Sequence, residues 1–123
     1  MRLLHWIPAI ALALLIFYLS SQSNPPGADF GPDYVLHSWG YAMFGAALLW
    51  GLTAGHQKSL VGSVLLTAWL LATLYGASDE IHQAFVPGRD PSWFDLTADS
   101  VGAAVGIVIL SLMLLRLRGS RQV

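Results

Sequence analysis

Four apolar runs divide this chain, at residues 3–19, 36–54, 60–77 and 96–117. Each is close to the about 20 residues that a helix needs to cross the ~30 Å hydrocarbon layer of a bilayer. In lipid, only helices and closed barrels satisfy the polar groups of the backbone. The runs are continuous rather than alternating, so they predict helices. Composition points the same way. The chain has 123 residues, of which 55% are hydrophobic and 11% charged, whereas soluble domains carry about 25% charged residues. That is too little polar surface for a water-soluble domain. The expected fold is therefore all-α: a single domain over residues 1–123, forming an integral membrane four-helix bundle. Ser20-Ser21-Gln22-Ser23 follows the first run without the A-x-A pattern of a signal-peptide cleavage site, so the first helix is expected to be retained.

The charges orient this bundle. Arg2, Lys58, Arg116, Arg118 and Arg121 fall at the N-terminus, the middle loop and the C-terminal tail, and Arg89 is the only basic residue on the other side. Lys and Arg in short loops mark the cytoplasmic side, which places both termini in the cytoplasm. All seven acidic residues lie opposite: Asp29, Asp33, Asp79, Glu80, Asp90, Asp95 and Asp99. Their segregation predicts a polar site on the outer face. The net charge of -1 and the absence of basic residues interleaved with aromatics exclude nucleic acid as a partner. The chain has no cysteine, which excludes disulfides, thiolate catalysis and Cys-ligated zinc. Walker, dinucleotide-binding, H-E-x-x-H and G-x-S-x-G motifs are also absent.

The densest group of chemical side chains is Ser78-Asp79-Glu80-Ile81-His82-Gln83. If the third helix continues through it, Asp79, His82 and Gln83 share one face, at i, i+3 and i+4. A carboxylate and an imidazole one turn apart can act as an acid–base pair or supply two ligands to a divalent metal. The plainer reading is a hydrated helix end at headgroup level. Asp33 and His37 form a second pair at i, i+4, with Tyr41 one turn deeper. Asp33 alone suits an N-cap or a first-turn acid, which leaves His37 unexplained. At the start of the fourth helix, Ser92-Trp93-Phe94-Asp95 fits the S-x-x-D capping pattern. Asp99 lies one turn farther in, where a carboxylate facing lipid is costly. Gly102 and Gly106 permit a close helix contact on that face, so Asp99 is expected to point into the bundle. Arg89 can pair with Asp90, Asp95 or Asp99, or clamp a phosphate or carboxylate with its planar fork.

These residues together resemble the VanZ-like family of bacterial membrane proteins. The resemblance is carried by the run from Tyr75 through Ser78-Asp79-Glu80-Ile81-His82-Gln83 to Phe85-Val86-Pro87-Gly88-Arg89, then by Ser92-Trp93-Phe94-Asp95, Asp99, Gly102 and Gly106. Asp33, His37 and Tyr41 match the family's earlier D-K-x-x-H-x-x-x-Y pattern, and the resemblance covers nearly the whole chain. Two positions depart from the pattern. Tyr34 stands where the family usually has lysine, and Asp99 where it often has asparagine. The resemblance implies a cell-envelope setting in the bacterial cytoplasmic membrane and a link to low-level resistance to the glycopeptide teicoplanin.

Three functions are compatible with the residues. One is a binding or accessory protein that holds a lipid headgroup, a lipid-linked, phosphate-bearing precursor or another membrane protein, with Asp33, His37, Tyr41, Gln83, Arg89, Asp95 and Asp99 lining the site. The second is a membrane-embedded acid–base or metal-assisted enzyme, with Asp79, Glu80 and His82 as its catalytic candidates. The third is a small transporter or channel, for which four short helices without an inverted repeat are few.

Overall fold

The computed structural model describes residues 2–27, 29, 31–56 and 60–119. Lys58 and Arg121, two of the cations on which the expected orientation rests, lie outside these residues. A 3-10 turn at Arg2–Trp6 leads into α1 (Ile7–Ser20), followed by α2 (Asp33–Thr53), α3 (Gly62–Gln83) and α4 (Trp93–Gly119). Among the described residues the fold is all-helical. Pro8 falls in the first turn of α1, where its missing N–H interrupts no helical hydrogen bond.

Helix boundaries differ from the apolar runs where polar residues extend a helix. α3 passes six residues beyond the expected end near residue 77 and carries the whole Asp79–Gln83 segment. α4 begins three residues earlier than expected, at Trp93. Its N-cap is Ser92, whose Oγ accepts from the N–H groups of Phe94 (3.2 Å) and Asp95 (3.4 Å). Asp33 is the first helical residue of α2 rather than its cap, which is Pro32. There the carboxylate faces the positive end of the helix dipole.

α2 is the central helix and packs most extensively against α4. The reason is a seam of small residues. A Cβ on Gly102 or Gly106 would overlap the backbone carbonyls of Ser38 and Ala42, and one on Gly45 would lie 2.6 Å from the Ala103 carbonyl oxygen. The absence of side chains here lets the two backbones touch. α3 packs on both α2 and α4, and Trp69 Nε1 donates to the Ser100 carbonyl at 3.1 Å. α1 is more peripheral. It is held by Trp6 packed over Gly51 and by the Tyr75 hydroxyl, which donates to the Ala13 carbonyl at 2.6 Å.

The distribution of polarity is inverted relative to a water-soluble bundle. Asp79, Glu80, Gln83, Asp95 and Asp99 are buried, whereas large apolar side chains on all four helices are exposed, including Leu14, Trp39, Leu74 and Ile109. Among the described residues, two helical stretches are long and apolar enough to cross a membrane: Leu3–Ser20 and Trp93–Leu117. Only 11% and 28% of their apolar windows are buried within the protein.

Candidate functional site

The C-terminal ends of α1 and α3 and the N-terminal ends of α2 and α4 meet at one end of the bundle, and the buried acids gather there. At the centre is His37 of α2. Its Nδ1 lies 2.8 Å from Asp99 Oδ1 of α4 and 3.9 Å from Glu80 Oε1 of α3. Its Nε2 faces Asp33 Oδ2 at 4.0 Å. The ring of Tyr41 lies parallel to the imidazole one turn deeper, with centroids 6.3 Å apart.

Each carboxylate reaches this centre for a local reason. Asp99 is fully buried because Gly76 of α3 opposes it: a Cβ there would stand 2.7 Å from Asp99 Oδ2. Glu80 is oriented by the Ser92 N–H, which donates to its Oε2 at 2.7 Å. This bond ties the end of α3 to the start of α4. Asp79 accepts from Gln83 Nε2 at 3.2 Å. The turn through Pro87 and Gly88, whose φ is +81°, is closed by the Arg89 N–H on the Val86 carbonyl at 3.1 Å. Proline followed by a left-handed glycine is the type II pattern, and it turns Arg89 back over the site. Arg89 Nη2 then donates to Gln83 Oε1 at 3.0 Å and pairs with Asp33 Oδ2 at 3.1 Å.

The electrostatic balance of this cluster is negative. Asp33, Asp79, Glu80, Asp95 and Asp99 converge on one guanidinium and one imidazole. Asp79 and Glu80 stand past the apolar part of α3, and burial raises both carboxyls above their ordinary range. Ser20, His37 and Gln83 oppose the rise at Asp79, and the Ser92 N–H opposes it at Glu80. Buried oxygens remain without a hydrogen-bond partner among the described residues: Asp79 Oδ1, Glu80 Oε1, Asp99 Oδ2 and the Tyr41 hydroxyl. Buried polar atoms are normally satisfied, so these point to something the side chains alone do not supply.

Two open grooves flank the cluster. One, of about 250 Å³, runs between α1 and α2. Leu15, Ile16, Trp39 and Met43 contribute to its apolar walls, and Asp33, His37, Asp79 and Arg89 to its polar end. The other, of about 560 Å³, lies between the end of α3 and the start of α4. Phe85, Trp93 and Leu96 line it, with Glu80 among its lining residues. The acid–imidazole cluster stands between the two.

The structure thus brings together Asp33, His37, Tyr41, Asp79, Glu80, Gln83, Arg89, Asp95 and Asp99 from three helices and one turn. It turns the His82 ring toward α1. The His82 ring packs on Phe17 of α1, with centroids 4.7 Å apart, and its Nε2 lies 3.0 Å from Ser21 Oγ. Asp79 bonds to Gln83 rather than to His82, so the shared-face pairing holds at i+4 and not at i+3. Arg89 pairs with Asp33 rather than with Asp90, Asp95 or Asp99. Two contributors escaped the sequence reading. Gly76 opens the space for Asp99, and Ser92 holds Glu80 through its backbone in addition to capping α4. A glycine one turn before Glu80 on the third helix was the available signal for the first; the second left none.

No curated protein and no solved structure matches this chain. The family model described as VanZ/LLP1 matches residues 2–115, nearly the full length, and the chain belongs to the VanZ/LLP1 family.

Proposed function

We propose that this chain is a four-helix protein of the bacterial cytoplasmic membrane, with both termini inside, that holds the polar head of a lipid or lipid-linked envelope precursor at its outer face. The groove between α1 and α2 carries this reading. Its apolar walls open sideways past the exposed Trp39 and Met43, as an acyl or polyprenyl chain requires, and it ends on Arg89, His37, Asp33 and Asp79. Arg89 presents a planar donor fork suited to a phosphate. Asp33 and Gln83 hold it in place, with its side chain only 9% exposed, at the polar end of the groove. The exposed Phe85, Trp93 and Phe94 sit near the same end, where aromatic side chains favour the membrane interface. In this reading the link to teicoplanin follows from occupancy of an envelope lipid rather than from action on the antibiotic.

A second reading, chemistry on the bound head, is favoured by the buried contact of His37 with Asp99 and by the nearby Glu80. The two are separated in a host that expresses wild type, Arg89→Ala or Glu80→Gln at equal membrane abundance, scored for teicoplanin susceptibility. The purified proteins are assayed in parallel for binding of a polyprenyl phosphate in detergent. Loss of binding and protection in Arg89→Ala, with both kept in Glu80→Gln, is the result expected for a binding protein. Loss of protection in Glu80→Gln with binding intact indicates chemistry. Wild-type binding no stronger than that of Arg89→Ala would overturn the lipid-head reading.

A further inference from the structure

We propose that His37 Nδ1, Glu80 Oε1 and Asp99 Oδ1 form a three-ligand site for a divalent first-row metal ion such as zinc or manganese. One donor from each side chain lies within 4.8 Å of the other two. An ion about 2.1 Å from each nitrogen or oxygen ligand holds them in a shell of this size. All three residues are buried, and one of the three ligand atoms, Glu80 Oε1, has no hydrogen-bond partner among the described residues. Glu80 Oε1 is aimed at the imidazole, 3.9 Å from Nδ1. An ion there would satisfy a buried oxygen that no protein donor reaches.

The surroundings are those of a ligand set rather than of a simple ion pair. Histidines that bind metals commonly turn their other ring nitrogen to a carboxylate, and ligating carboxylates are themselves held by hydrogen bonds. Here the Ser92 N–H holds the second oxygen of Glu80 at 2.7 Å, and Asp33 Oδ2 faces Nε2 at 4.0 Å, beyond hydrogen-bond distance. A divalent charge also offsets a cluster in which five acids face one guanidinium and one imidazole. Asp33, His37 and Asp95 form an overlapping set, but Asp33 is engaged by Arg89 at 3.1 Å, so the fully buried set is the better site. Nitrogen and oxygen donors without sulfur select zinc, manganese or iron(II) over soft ions. Three protein ligands leave a coordination position open. His37 lines the groove between α1 and α2 and Glu80 the groove between α3 and α4, so a ligand entering either could reach it.

This site stands apart from the lipid-head reading, since metal content is read on the protein alone. The full chain, purified in detergent without a polyhistidine tag, is equilibrated with zinc or manganese and desalted, and bound metal is counted by mass spectrometry. One ion per chain is expected in wild type, falling at least tenfold in Glu80→Gln and His37→Ala. Because a site variant could fail to fold, a second protein carries His5→Gln, His56→Gln and His82→Gln together. His37 is then the sole histidine, and this protein should retain the ion. Copper(II) bound to it should show coupling to a single imidazole nitrogen by electron paramagnetic resonance. Wild type without stoichiometric metal, or metal kept in a folded Glu80→Gln, or metal lost from the folded triple variant, would each overturn the proposal.

Discussion

Alanine in place of Gly102 tests the contact that builds the site. Gly102 lies one turn after Asp99 on α4, and a Cβ there would overlap the backbone carbonyl of Ser38, the residue after His37. Gly106 meets Ala42 of α2 in the same way one turn farther on. Exchanging glycine for alanine in an unobstructed helix gains about 1 kcal/mol. Gly40, in the same central helix, has nothing within 4 Å of its Cβ position, so Gly40→Ala should show that gain. At Gly102 the gain opposes overpacking of about 1–3 kcal/mol. The obstacle is backbone, which cannot rotate aside, so the upper part of that range applies and a net loss of about 1–2 kcal/mol follows. Relief requires α2 and α4 to part where His37 and Asp99 now stand 2.8 Å from each other. Thermal unfolding in detergent, followed by circular dichroism, should therefore rank Gly40→Ala above wild type and both Gly102→Ala and Gly106→Ala below it. If Gly102→Ala and Gly106→Ala melt at or above wild type, the backbones of α2 and α4 do not touch and this account of the seam is refuted.

Two further outcomes are expected. Tyr75→Phe removes the 2.6 Å bond to the Ala13 carbonyl, worth about 1 kcal/mol, and should speed hydrogen exchange in α1 while leaving α2 and α4 unchanged; uniform exchange across the bundle would show that α1 is not held by this bond. Because the chain has no cysteine, Ser23→Cys and His56→Cys each provide a single label site. A membrane-impermeant maleimide should reach Ser23→Cys in intact cells and His56→Cys only after permeabilisation, and the opposite pattern would reverse the proposed orientation.

The sequence by itself determined the four helices and the end of the bundle that carries the acids. Run length and apolar content are local properties, and the alternation of runs and loops puts Asp33, Asp79, Glu80, Asp95 and Asp99 at one end whichever way the helices pack. It also marked Asp99 as inward-facing, through the glycines that share its face. Helix ends were less legible: α3 runs on to Gln83 because backbone bonding continues after apolar content stops, and hydrophobic runs report only the latter. The partners were decided by tertiary structure. His37 and Asp99 are 62 residues apart, and only the glycine seam between α2 and α4, with Gly76 on α3, brings them into contact. His82 was attractive because spacing along one helix places it near Asp79, yet α1 lies against that side of α3 and draws the ring onto Phe17. Spacing reports which residues of one helix lie near each other. Which neighbouring helix each of them meets depends on how closely the backbones approach, and that is set by small residues distributed over three helices.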